Sequence, residues 1–135
     1  MNNLVLEIIT PEGKIFDEQI SYLKAPGVNG DFGVLFNHTP FFTSLAIGII
    51  EYEKDSKKEY FSVSGGYCEV KKNVISILAE TAEFGSKIDL ERANEAKNRA
   101  EERLVEQASK GSSIDFDRAR ISLLRSINRI KVCKM

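Results

Sequence analysis

The chain has 135 residues, 42% of them hydrophobic and 29% charged, with 9 Gly and 3 Pro. This is close to the globular average and far from disordered, collagenous or coiled-coil compositions. The net charge of −1 hides a division: residues 1–84 hold 7 Lys, no Arg and 12 acids (−5), and residues 85–135 hold 12 basic and 8 acidic side chains (+4).

That length makes one ordinary domain or two very small ones, and no run approaches the ~18 consecutive apolar residues of a membrane-spanning helix. All seven Arg fall at or after Arg92. Such asymmetry points to an anionic partner for the basic half. One His and two Cys, 65 residues apart, cannot assemble an ordinary zinc site. Met1-Asn2-Asn3-Leu4 places no basic stretch before its apolar residues, which argues against a secretory signal or transit peptide. A cytoplasmic, reduced, metal-free protein is the expectation.

The first half is punctuated by seven Gly and all three Pro before residue 67, with short β-branched and aromatic runs between them. Leu4–Ile9 reads as a buried strand, followed by a turn at Pro11-Glu12-Gly13 and by short strands at Lys14–Phe16 and Ser21–Ala25. Pro26–Gly33 reads as a long loop, with several positions able to take φ > 0. Thr43–Ile47 and Ile49–Glu53 flank Gly48, a candidate bulge or corner. The polar stretch Lys54–Lys58 reads as an exposed hairpin tip, followed by strands at Glu59–Ser64, Tyr67–Lys71 and Val74–Leu78. Short links favour antiparallel pairing. About eight to ten such strands can close into a β-sandwich or flattened barrel.

After Gly85 the texture changes. Ile88–Lys110 holds no Gly or Pro and is rich in Ala, Glu, Arg, Leu and Lys, all good helix formers. Ser86 and Asp89 are candidate caps, and Ala93, Ala96, Ala100, Leu104 and Ala108 share one face. Gly111-Ser112-Ser113 interrupts the pattern, Ser113 or Asp115 can cap a second helix, and Phe116, Ala119, Leu123, Ile127 and Ile130 mark its apolar face. The sum is an antiparallel two-helix hairpin, so the expected domains are a sandwich over 1–85 and a hairpin over 86–135. An Ala-rich stripe buries little area at ~25 cal/mol per Å², and a weakly held hairpin is the physical basis of a mobile element.

Several segments together carry a resemblance: Thr10-Pro11-Glu12-Gly13, Ala25-Pro26-Gly27, Gly30-Asp31-Phe32-Gly33-Val34-Leu35, Asn37-His38-Thr39-Pro40, Gly65-Gly66-Tyr67-Cys68-Glu69-Val70 and Ile77-Leu78-Ala79-Glu80. In this order, before an Ala-rich hairpin, they resemble the epsilon subunit of the rotary F-type ATP synthase, end to end. The resemblance implies a non-catalytic rotor subunit at the cytoplasmic face of the bacterial membrane, peripheral and not inserted. Its sandwich would grip the gamma subunit and rest on the ring of c subunits. Its hairpin would fold on the sandwich or extend toward the alpha and beta subunits and inhibit ATP hydrolysis. The residues agree with an absence of chemistry, since one His stands without a nucleophile or Walker loop. The resemblance also places Gly30, Asp31, Phe32, His38, Thr39 and Pro40 at the end of the sandwich that faces gamma and the ring. The plainer role for these residues is to turn the chain.

Ile88-Asp89-Leu90-Glu91-Arg92-Ala93 matches the IDxxRA motif of epsilon subunits that bind ATP, and Arg125-Ser126-Ile127-Asn128-Arg129 supplies the Arg-x-x-x-Arg that accompanies it. Arg125 and Arg129 are four apart and Arg92 and Arg99 seven apart, so each pair shares a helix face. A folded hairpin could converge four guanidiniums on one triphosphate, for which their paired donors suit them better than Lys. Asp89 would accept from the base or ribose, and Glu83 with Phe84 would line the base pocket. ATP is thus the expected regulatory ligand, with no required cofactor. The plain alternative is a solvated face of surface ion pairs, each worth at most ~1 kcal/mol.

The inhibitory segment would be the second helix, where Arg118, Arg120, Arg125 and Arg129 stand in an acid-free run. The same run raises a rival reading as a nucleic-acid-binding module. The near-neutral total charge and the lack of an aromatic in Arg118–Lys134 oppose it, and no nucleic-acid partner is expected. A sugar- or lipid-binding sandwich is a second rival, and the absence of Trp argues mildly against a sugar platform. Cys68 reads as a small buried residue, Cys133 as a bystander, and Glu101-Glu102 as solubility charges pointing in different directions.

Overall fold

The computed structural model describes residues 3–110 and 113–135. It divides into two compact units, Met1–Phe84 and Gly85–Met135. The first holds eight strands: β1 (Leu4–Thr10), β2 (Gly13–Ile20), β3 (Tyr22–Gly27), β4 (Gly30–Val34), β5 (Phe41–Ser44), β6 (Gly48–Lys54), β7 (Lys57–Lys71) and β8 (Val74–Phe84). Their order is β2-β1-β8-β7-β6-β3-β4, with β5 also pairing β7. All pairs are antiparallel except β1 with β8, which run parallel from Val5↔Val74 to Ile9↔Leu78. The expectation of purely antiparallel pairing fails there because nearly the whole unit serves as the crossover between these two strands.

β1 shows how the core forms. Leu4, Leu6 and Ile8 are buried while Val5, Glu7 and Ile9 alternate with them at half-exposed positions, so one face only is apolar. Their partners inside the sandwich include Ile20, Leu23, Val34, Ile50, Cys68, Val70, Ile75 and Ile77. At one end Phe16, Tyr52, Phe61 and Phe84 pack edge to face or tilted, with centroids 5.1–5.8 Å apart.

The glycines account for the main departures from expectation. Pro26–Gly33 is no loop: Gly27 pairs with Gly30 and Ala25 with Phe32 in a tight β3–β4 hairpin. A Cβ on Gly27 would stand 2.8 Å from the Gly30 carbonyl oxygen, so the glycine density allows close approach there. Gly65-Gly66 does not end a strand either. β7 runs through them, pairing with β6 from Lys57 to Val63 and with β5 from Tyr67 to Val70, while β8 follows it on its other side. The chain between Ser44 and Gly48 passes opposite this point, since Ser44 pairs with Tyr67 and Gly48 with Val63. The expected tip is present, with Asp55 and Ser56 both at positive φ between β6 and β7.

The second unit opens with a 3-10 turn at Gly85–Lys87, then α1 (Leu90–Lys110) and α2 (Ser113–Cys133). Asp89 caps α1, its Oδ1 accepting from the Arg92 backbone N–H at 3.1 Å. Ser86 sits inside the 3-10 turn and is not the cap. Asp115 lies in the first turn of α2, where its charge suits the helix dipole. Gly111-Ser112 of the expected link lies outside the described residues, as does the Ser113 side chain. Ala93, Ala100, Ala119 and Val132 are buried. Ala108, expected on the first stripe, and Ile127, expected on the apolar face of α2, are both exposed, Ile127 lying about 100° round the helix from the buried Ser126.

Candidate functional site

The Cys133 Sγ lies 3.4 Å from the Ile88 carbonyl oxygen. The end of α2 therefore meets the start of α1, and the helices run antiparallel. Cys133 is a structural contact and not the bystander that its sequence position suggested. It also sets the heights of the four arginines. Arg129 is four residues before Cys133 and Arg92 four after Ile88, so at about 1.5 Å rise per residue the two stand level. Arg125 follows about 6 Å further along and Arg99 about 10 Å.

Their faces follow from the buried positions. Ala93 and Ala100 mark the buried stripe of α1, and Ala119 and Ser126 that of α2. At about 100° per residue, Arg92 and Arg99 sit roughly a quarter turn from the first stripe, and Arg125 and Arg129 a quarter turn from the second in the same rotational sense. On facing antiparallel helices, the same sense leads to the same flank. Arg92, Arg99 and Arg125 are exposed and Arg129 is half-buried. Ile88 and Ala93 are buried in packing, Asp89 is exposed with Oδ1 engaged as the cap, and Glu83 lies half-exposed in β8 of the sandwich unit. In the acid-free run, Arg118 and Arg120 are exposed, and Arg120 Nε lies 3.9 Å from Asp117 one turn back.

At one end of the sandwich the structure brings together residues that the sequence only lists. The Phe32 and Phe41 rings are 5.1 Å apart, and His38 and Phe41 5.9 Å. Asn37 takes φ 64 and donates its backbone N–H to Asn73 Oδ1 at 2.7 Å, which fixes the His38-Thr39-Pro40 loop beside the β7–β8 turn. His38 Nδ1 is 2.7 Å from the Thr39 carbonyl oxygen. Asp31, beside Gly30 in the β3–β4 hairpin, lies 3.9 Å from Lys24.

One surface escaped the sequence reading. On the outer face of the sheet, Ser44 pairs with Tyr67, Tyr67 with Leu78, and Leu78 with Ile9. Phe42 stacks on Tyr67 at 5.7 Å. Phe42 is 62% exposed, Tyr67 51% and Leu78 48%. Beside this apolar row runs a polar one, in which Glu69 pairs with Phe42 and with Ser76. Ser76 Oγ donates to Glu7 at 2.7 Å, and Lys14 bridges Glu7 at 3.1 Å and Asp17 at 3.2 Å. The hydrogen bond from Ser76, then that from Lys14, holds the Glu7 carboxyl below its usual range. Burial pushes the Cys68 thiol up to about 12, which makes it an inert core residue.

Among the described residues no helix is long and apolar enough to cross a membrane, and no cluster of side chains could hold a metal ion. The family described as ATP synthase, Delta/Epsilon chain, matches by its beta-sandwich domain over residues 3–85 and by its long alpha-helix domain over residues 86–134. The chain belongs to this family. It is similar to an ATP synthase epsilon chain of Desulfitobacterium hafniense strain Y51, 42% identical over 129 residues, covering 96% of this chain and 95% of that one. Another epsilon chain, from Nitratidesulfovibrio vulgaris strain DP4, is 48% identical over 102 residues, 76% of each chain. The fold resembles a chain in the cryo-EM structure of Euglena gracilis mitochondrial ATP synthase (OSCP/F1/c-ring). There the TM-score is 0.80 at 23% identity, over 95% of this chain and 79% of that one.

Proposed function

We propose that this family member is a non-catalytic rotor subunit of an F-type ATP synthase at the cytoplasmic face of the membrane, and that its hairpin restrains ATP hydrolysis until ATP binds it. The observation that carries the regulatory half is the placement of Arg92, Arg99, Arg125 and Arg129 on one flank of the hairpin within about 10 Å of height. Guanidiniums so grouped offer paired donors that match the oxygens of a triphosphate. The group exists only while α1 and α2 are paired. ATP therefore favours the paired form through its differential affinity. When ATP is scarce, α2 carries Arg118, Arg120, Arg125 and Arg129 toward acidic surfaces of the alpha and beta subunits. Asp89 leaves its Oδ2 to accept from base or ribose while Oδ1 caps the helix.

The rotor half is supported by the outer face of the sandwich. An exposed apolar row with a charged border has the anatomy of a protein interface, and we assign Phe42, Tyr67 and Leu78 to the gamma subunit. Gly30, Asp31, Phe32, His38, Thr39 and Pro40, fixed together at one end, are assigned to the ring of c subunits.

Calorimetric titration of ATP into the chain tests the sensor. Saturable binding is expected, and loss of binding in Arg92→Ala. No binding at millimolar ATP would leave the arginines as protein contacts only. For the brake, the assembled enzyme lacking residues 86–135 is expected to hydrolyse ATP faster at low ATP than the complete enzyme. Equal rates would discard the brake and leave the rotor role standing.

A further inference from the structure

α2 carries a second apolar stripe that the hairpin does not use. Ile121 is 37% exposed, Leu124 44% and Ile127 43%, at steps of three along the side of the helix away from Ala119 and Ser126. Cations border it: Arg118, Arg120, Arg125 and Lys131 are all exposed, with Asp117 the acid among them. The sandwich presents the inverse surface. Its row of Phe42, Tyr67, Leu78 and Ile9 is bordered by Glu69, Glu7, Asp17 and Glu80, against Lys14 and Lys71. The two surfaces belong to units of opposite net charge, −5 and +4.

We propose that the chain, when not assembled with partners, associates head to tail: the outer face of α2 in one copy docks on the outer sheet face of the next. Apolar rows meet in the centre, and the arginines of one copy face the carboxylates of the other, which orients the encounter. The two patches are different surfaces, so each contact joins a helix patch to a sheet patch. The association grows with concentration. It also covers the apolar faces that an orphan subunit would otherwise expose. This inference does not depend on ATP sensing or on the assignment to gamma, since it is read from the isolated chain.

Sedimentation velocity over a concentration series tests it. The wild-type average mass is expected to rise above that of the monomer with concentration and to fall back when salt is raised. Leu78→Lys removes the sheet patch and Leu124→Glu the helix patch, so each variant alone is expected to remain monomeric. An equal mixture of the two is expected to form dimers and nothing larger, because one intact patch of each kind remains. Circular dichroism checks that both variants fold. Should Leu78→Lys fail to fold, Glu69→Lys, an exposed charge reversal, takes its place. A wild-type chain that stays monomeric throughout would overturn the proposal. So would a single variant that still associates, or a mixture that does not pair.

Discussion

The Cys133 thiol donates to the Ile88 carbonyl oxygen across 3.4 Å, joining the last turn of α2 to the residue just before the α1 cap. This contact closes the open end of the hairpin. A thiol is a weak donor, and Cys133→Ala is expected to cost only about 0.5–1 kcal/mol. The loss should be local. Hydrogen exchange is expected to speed up at Ile88–Ala93 and at the end of α2, with the sandwich amides unchanged. Uniform acceleration across both units would contradict this.

Asp89 separates structure from ligand binding. Asp89→Ala removes the cap and is expected to cost about 1 kcal/mol of helix stability, whereas Asp89→Asn keeps an oxygen for the Arg92 N–H and costs little. If the carboxylate also receives ATP, Asp89→Asn will bind ATP more weakly while melting like the wild type. Unchanged affinity would confine Asp89 to capping.

Gly66 is the position least able to accept a side chain. Its φ is +112, and a Cβ there would lie 1.9 Å from the Leu78 carbonyl oxygen. Gly66→Ala is expected to cost about 3 kcal/mol or more, with strain and clash adding. A urea midpoint close to that of the wild type would show that the β7 corner relaxes more easily than its geometry indicates.

Glu7 titrates below the usual carboxylate range because Ser76, then Lys14, hydrogen-bonds its charged form. A folded-state value below the unfolded one stabilises the protein above the ordinary carboxyl range, and that contribution disappears as pH falls through the folded value. Ser76→Ala is expected to move the Glu7 titration upward in carbon NMR. Its stability deficit is expected near neutral pH and to shrink in acid. A deficit independent of pH would assign the effect to packing.

Much of this was legible in the residues. The helical half was readable because Ala, Arg, Glu and Leu without Gly or Pro admit few alternatives, and the Asp89 cap because its geometry is local. β1 was found by its apolar content, and the 54–58 tip by its polarity. The errors fall where one residue type serves opposite purposes. Gly27 and Gly30 looked like slack and form a tight turn, and Gly65-Gly66 looked like a break and lets a strand bend. The Phe42–Tyr67–Leu78 surface and the Cys133–Ile88 contact were hidden for another reason. Both depend on register between segments distant in sequence, which no local pattern encodes. The shared flank of the four arginines was half legible: each pair shows in its own spacing, but bringing the pairs together needs the height set by Cys133.

Because β7 and β8 run unbroken past Gly65-Gly66, the two layers of the sandwich are not separate plates held by side-chain contact. A twist applied to the sheet of β1, β2 and β5 reaches β3, β4 and β6 through covalent backbone and a continuous ladder from Phe61↔Phe84 to Lys71↔Val74. Layers joined only by apolar packing could slide, since that attraction is non-directional. Here sliding would require stretching peptide chains. The unit is therefore stiff against shear.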